Sequence, residues 1–376
     1  MQSSGKLWRK NPVEPLLTLP DFQTKIIDPR QGISGELLAA WETLRRSNPG
    51  LQSPYFSPEF TRIVAASRND VELAVLNVAG KPAAFFPYER RRWNLGGPVG
   101  SFLSDYHGVI SAPDFKFLPR DLVRASGLAA WDFNHLPANQ TSFAPFHRAQ
   151  NRSPIIDLSA GYENYVKERR EAGTEQIKKN GNLLRRLERE VGPLRFVEHS
   201  TDKALFEQLL AWKTAQFRHN GWRDIFSIPW VRQTADGIHS TQTPEFAGML
   251  SLLYAGDKLV AAHFGMRSAS VWHYWFPSYD PAFSKYSPGV MLLLKMAEAA
   301  PAMGIHTIDL GCGEHSYKER LMNGTIPTAK GSVELLRPAT IARQIWRPLS
   351  KVSNKARHLV GKTPVVELVR RLRERN

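Results

Sequence analysis

The chain has 376 residues, 42% hydrophobic and 23% charged, which is ordinary for a globular protein and long enough that two cores are expected. No run approaches the ~18 consecutive apolar residues that span a bilayer, and the lone cysteine, Cys312, excludes an internal disulfide. The formal net charge is +15, and from Arg337 onward eleven Lys and Arg face only Glu367 and Glu374, so most of the excess sits in that stretch.

Residues 1–20 contain no apolar core of 7–15 residues and no small-residue cleavage site, so they read as a flexible N-terminus and not as a secretory signal. With a single cysteine, a cytoplasmic location is expected. Residues 73–93, LAVLNVAGKPAAFFPYERRRW, give an apolar strand, a Gly-containing turn and a second apolar strand, the pattern of a β-hairpin. A turn-rich stretch containing SDYHG follows, then a helix and a short strand at 130–135. Asn151-Arg152-Ser153-Pro154 breaks the pattern and marks an expected boundary between units at 21–152 and 153–338. The polar, basic stretch 162–190 reads as helix, weakened by Gly173 and Gly181. Its Lys178, Lys179, Arg185 and Arg186 face either an acidic ligand or solvent. A strand at 194–198 and a helix at 202–219 come next.

Residues 250–266, LSLLYAGDKLVAAHFGM, form a second hairpin pattern much like the first, which suggests duplication. A strand at 270–276 leads to a helix with Ser287 as N-cap and Pro288 at its first position, ended by Gly304. The strand HTIDL, a short helix and a strand at 330–336 complete the series. Residues 339–376 read as a basic amphipathic tail, with Trp346, Leu359, Val366 and other apolar residues among the cations. Such a tail suits an anionic membrane face or nucleic acid, or is simply solvated.

The run Asp309-Leu310-Gly311-Cys312-Gly313 after an apolar strand also occurs where S-adenosylmethionine binds. A methyltransferase sheet needs several more strand–helix units after that turn, and too few residues follow Gly313 to build them. Three strands, a loop, a helix, a strand, a helix and a strand is instead the order of the acetyltransferase fold, an α/β fold with a mixed sheet. There an acyl donor enters between two strands that splay apart, and its pyrophosphate sits on a helix N-terminus. Ser287, Pro288 and Gly289 would form that terminus, although Ser-Pro-Gly is equally a plain helix start.

Tyr279-Asp280-Pro281, Tyr286-Ser287-Pro288-Gly289, Asp309-Leu310-Gly311 and Tyr317-Lys318, all within 250–321, carry a resemblance to bacterial acyltransferases of the FemAB-like branch of the GNAT superfamily, including CelD-type proteins. A looser likeness reaches back to Asn151, and Asp105-Tyr106-His107-Gly108 is similar to an element of the same proteins. The resemblance implies tandem GNAT-like domains, an acyl-coenzyme A donor (acetyl-CoA or another acyl-CoA), and a sugar or glycan-precursor acceptor in exopolysaccharide biosynthesis. Ser284 and Ser287 depart from the usual phosphate loop, so an acyl carrier protein or aminoacyl-tRNA remains open as donor. A non-catalytic module docking on membrane or nucleic acid through the tail is the alternative of another class.

Acyl transfer needs a deprotonated nucleophile, a polarised carbonyl and a proton for the leaving group. The candidate catalytic residues are Tyr317 (thiolate protonation, or packing), Asp309 (orienting or deprotonating the acceptor, or capping a turn), and His263 and His273 (base, or structural). Ser287, Pro288, Gly289, Tyr286 and Lys318 are donor-side candidates; Asp105, Tyr106, His107 and Tyr279 are acceptor-side candidates. Tyr279, Tyr286, Trp272, Tyr274 and Trp275 form either a sugar-stacking wall or a packed sheet. No Cys/His cluster has metal-ligand spacing, so no metal is expected.

Overall fold

The computed structural model describes residues 21–313, 316–338, 340, 341 and 343. The expected flexible N-terminus and nearly all of the basic tail lie outside the described residues. In the N-terminal half come β1 (Gln23–Ile27), α1 (Gly35–Ser47), α2 (Pro58–Ser67), β2 (Val71–Val78), β3 (Lys81–Arg91), β4 (Leu95–Gly97), β5 (Ile110–Ser111), α3 (Pro119–Ala125), β6 (Ala130–Pro137) and β7 (His147–Asp157). The C-terminal half follows with α4 (Tyr162–Glu171), α5 (Gln176–Glu190), β8 (Leu194–Val197), α6 (Lys203–His219), α7 (Pro229–Ser240), β9 (Ala247–Ala255), β10 (Lys258–Arg267) and β11 (Val271–Tyr279). It ends with α8 (Pro288–Ala299), β12 (Thr307–Asp309), α9 (Ser316–Leu321) and β13 (Gly324–Glu334). Both hairpins form as expected. The long basic helix does not: it breaks into α4 and α5 at Gly173, whose φ of +75° ends a helix at little cost to glycine.

All thirteen strands join one mixed sheet, ordered β1-β2-β3-β4-β6-β13-β7-β12-β11-β10-β9-β8, with β5 on β3. The two halves exchange their last strands. β7, which follows β6 in the chain, pairs with β12 of the other half, while β13, the last strand, pairs with β6. β7 and β13 pair with each other across the seam. The break expected at Asn151–Pro154 is therefore the middle of an eleven-residue strand. Proline is tolerated there because Pro154 lies one residue beyond the β12 ladder, which ends at Asp309–Ile155, and its carbonyl still accepts from Leu310 N–H at 3.0 Å. Chains cut between residues 152 and 153 would each carry half of β7 and lack their partner strand. Expressed separately they should be insoluble or lack cooperative unfolding, and co-expression should restore a soluble complex; independently folded fragments by circular dichroism would count against the exchange.

One core is common to both halves. On one face of the sheet Trp41, Phe60 and Phe85 from the N-terminal half pack in a single buried cluster with Phe206, Phe226 and Phe264 from the C-terminal half. The opposite face of the C-terminal half is closed by α8, whose GVMLLLKMAEA sequence is apolar nearly all round and is buried accordingly. Among the described residues no helix is long and apolar enough to cross a membrane.

Candidate functional site

The site is built where two parallel strands part. β11 and β12 pair at Val271–Thr307, Trp272–Ile308 and His273–Asp309, after which β12 ends and β11 runs on to Tyr279 paired with β10 on its other edge. Strand alternation sends neighbouring β11 side chains to opposite faces. Tyr274 turns toward α8, its hydroxyl 3.5 Å from the Gly289 carbonyl. His273 turns the other way, its ring 5.0 Å from that of Tyr55. The fork thus connects the two faces of the sheet at its last paired rung.

Around that rung lies a buried ionic cluster. His273 Nε2 is 3.2 Å from Asp105 Oδ2 and 3.2 Å from the Tyr55 hydroxyl, which itself donates to the Leu103 carbonyl at 2.9 Å. His273 Nδ1 is 3.9 Å from Asp309 Oδ2, an ion-pair contact too long for a hydrogen bond. Burial by itself would push the His273 pKa down, but the carboxylates of Asp105 and Asp309 overcome this and raise it to about 9. Asp309 is opposed by burial too, yet His273, the Gly311 N–H and the Ser153 hydroxyl, both 2.8 Å from Oδ1, hold its pKa below the ordinary value. Lys318, 5% exposed, donates to the Gly311 and Cys312 carbonyls at 3.0 and 3.2 Å.

These distances revise several roles expected from sequence. His273 is cationic at neutral pH, so it is no free base; it clamps Asp105. Asp309 is 0% exposed, accepts from Ser153 and from Gly311 N–H of the following turn, and faces His273. Lys318 braces that turn instead of meeting a donor phosphate. His263 accepts the Trp275 N–H at Nε2 (3.1 Å) and stacks on Tyr274, and burial followed by the His273 charge lowers its pKa, so its lone pair is already spent. His107 is buried and likewise neutral; its Nε2 accepts the N–H groups of Asn134 and His135 at 3.1 and 3.3 Å. Tyr106 is buried beside Ser153 and Asp309, its phenol kept un-ionised first by burial and then by the Asp309 charge.

On the α8 side, Ser287 occupies the N-cap position but does not cap with its hydroxyl. Its backbone is left-handed (φ 56°, ψ 50°), because the 3-10 turn Pro281–Tyr286 ends there, and it serves the helix only through its carbonyl, which accepts from Val290 N–H at 3.1 Å. Such a conformation costs a non-glycine residue about 1–2 kcal/mol. Tyr286 is buried with its hydroxyl 2.5 Å from Glu190 of α5, and Pro288 is buried as well, so neither presents a surface to a donor. Gly289 and Tyr279 do: a Cβ on Gly289 would meet nothing nearer than Tyr279 Cδ1 at 3.7 Å, and Tyr279 is exposed. Tyr317 on α9 is half-buried beside the α8 core, and burial pushes its pKa up to about 12, so it keeps its proton.

Beside the turn after β12 lies a cleft of about 910 Å³ lined by His135, Gln150, Arg152, Cys312, Gly313 and Ser316, among others. Three of the surrounding groups could hold a metal: ligand atoms of Asp105, His135 and Cys312 all lie within 4.8 Å of one another. Sequence reasoning missed Tyr55, His135 and Ser153. Each stands alone in an apolar or proline-flanked segment with no motif around it, so only the fold shows its partner. Gly311 explains why the turn needs glycine: its φ is +72°, and an added Cβ would stand 2.8 Å from Asp105 Oδ2. Gly311→Ala is expected to cost about 1–2 kcal/mol in backbone strain and, by displacing Asp105, to lower turnover more than a matched surface Gly→Ala control; urea melts and an acyl-transfer assay read the two effects separately.

Residues 176–319 match the family model described as an acetyltransferase (GNAT) domain. No curated protein matches the sequence. Among solved structures, the crystal structure of FemX aligns with TM-score 0.57 at 9% identity, over 85% of this chain and 99% of that one. The C-terminal domain of a protein titled as a lysylphosphatidylglycerol synthetase from Agrobacterium fabrum aligns with TM-score 0.52 at 12% identity, over 82% and 94%. A Bacteroides thetaiotaomicron protein of unknown function gives 0.54 at 12% identity, over 84% and 100%. At such identities the likeness concerns the fold alone, an α/β fold with one large mixed sheet. The chain carries a GNAT-type acyltransferase domain and is an acyltransferase.

Proposed function

We propose that the protein moves an acyl group, acetyl in the simplest case, from acyl-coenzyme A to an amine or hydroxyl of a sugar, nucleotide-sugar or polysaccharide precursor in the cytoplasm. The observation that carries this reading is the parting of β11 and β12 just beyond the His273–Asp309 rung. A thioester laid along the α8 face past Gly289 and Tyr279 would put its carbonyl in the fork. The acceptor would approach from the His135 and Asp105 side, past the ionic cluster. Tyr317, protonated and beside the α8 core, would return a proton to the departing thiolate.

Tyr317→Phe is therefore expected to lower kcat by about 10²-fold with the donor KM little changed; an unchanged kcat removes Tyr317 from the chemistry. Calorimetry with acetyl-coenzyme A tests the donor. Binding of aminoacyl-tRNA without coenzyme A binding would replace this reading with an aminoacyl transferase, for which the exposed Lys178, Lys179 and Arg185 of α5 offer a cationic face.

A further inference from the structure

We infer that Asp105, His135 and Cys312 form a binding site for a single zinc-class divalent cation at the mouth of the acceptor cleft. The three residues come from three separate places: the loop after β4, the strand β6 and the turn after β12. Imidazole, thiolate and carboxylate together are a donor set suited to Zn²⁺, and three protein ligands with one open position is its catalytic arrangement. Tetrahedral ligands at the usual 2.0–2.3 Å stand roughly 3.3–3.8 Å apart. The three ligand atoms lie within 4.8 Å of one another, so closing on an ion asks each side chain for a shift of about 1 Å or less.

The surroundings already orient these groups. His135 Nδ1 is 3.4 Å from the Ser104 carbonyl, a contact that orients the ring beside Asp105. Asp105 is anchored through Oδ2 by His273, leaving Oδ1 on the His135 side, 3.9 Å from Nδ1. Lys318 fixes the Cys312 carbonyl and with it the turn that presents the thiol. His135 and Cys312 both line the cleft, so an ion held between them faces a bound acceptor. An ion with an open position there would bind the acceptor hydroxyl and lower its pKa, which deepens the acyltransferase reading and rests on it for its use, though not for the binding itself.

The test is metal binding by the full chain. After chelation and buffer exchange, the wild type is titrated with Zn²⁺, and separately with Co²⁺ while the near-ultraviolet thiolate-to-metal band is recorded. The expected result is about one ion per chain, a thiolate band that vanishes in Cys312→Ser, and affinity weakened at least 10–100-fold in His135→Ala. Thermal melts of both variants without metal show whether each is folded. Failure of the wild type to bind, or binding with no thiolate band, overturns the site. Recovery of Cys312 as an acyl thioester during turnover would overturn it too, in favour of a covalent relay. Acyl transfer that proceeds undiminished in chelator, in a chain that binds the ion, would leave the site standing and remove its catalytic use.

Discussion

Asp105→Asn is expected to lower kcat/KM by about 10³-fold while the protein stays folded. Asp105 is the one carboxylate of the cluster that is not sealed in: its side chain is 21% exposed, against 0% for Asp309. One oxygen is held by His273, and the other is turned toward His135 at the cleft. Whether it meets the acceptor directly or through an ion, the asparagine loses the charge while keeping the shape. Steady-state kinetics with saturating donor and varied acceptor would show the effect, with a melting curve as the control for folding. A loss smaller than about tenfold would move the chemistry away from this face of the fork.

The second large effect is on stability. Asp309→Asn keeps the acceptor oxygen used by Ser153 and Gly311 but removes the negative charge 3.9 Å from the His273 ring. Taking one partner from a buried ion pair typically costs about 3–5 kcal/mol, because the remaining charge stays in low dielectric. Asp105 still compensates His273, so the lower end, about 3 kcal/mol, is expected here. His273→Gln alone should also destabilise, leaving two carboxylates facing each other across the rung. The double variant His273→Gln with Asp309→Asn should cost less than the sum by about 1–3 kcal/mol, the coupling typical of residues in one network. Urea unfolding of the four proteins closes this cycle. A cost below ~1 kcal/mol for Asp309→Asn would mean that His273 is neutral and that the cluster is not ionic as described.

Much of the architecture was legible because it is local. Apolar runs around a Gly-containing turn gave both hairpins, Pro288 opened α8 (which ends at Ala299, Gly304 closing the 3-10 turn Ala300–Met303 beyond it), and the order of elements from β9 to β13 marked the fold even though the Asp-Leu-Gly-Cys-Gly turn imitates a methyl-donor loop. Burial was the part that the pattern did not carry. Asp309, Lys318, His263 and His107 look like chemistry in a sequence, where polar types in apolar surroundings stand out. The hydrogen bonds each makes go to backbone groups or to another buried side chain.

By itself, the sequence determined the class of the fold, the strand–turn–helix identities around residues 250–334 and the polar residues that could matter. Those features depend on neighbours within a few positions, through backbone periodicity, caps and turns. Tertiary structure alone decided that β7 and β13 change halves, since a strand chooses its partner by long-range pairing and Asn151–Pro154 is locally compatible with either a break or a strand. It also decided which of the polar residues meet. Tyr55, Asp105, His135, Ser153, His273, and Asp309 with Cys312 come from six distant points of the chain, and their partners follow from distances that no spacing in the sequence encodes.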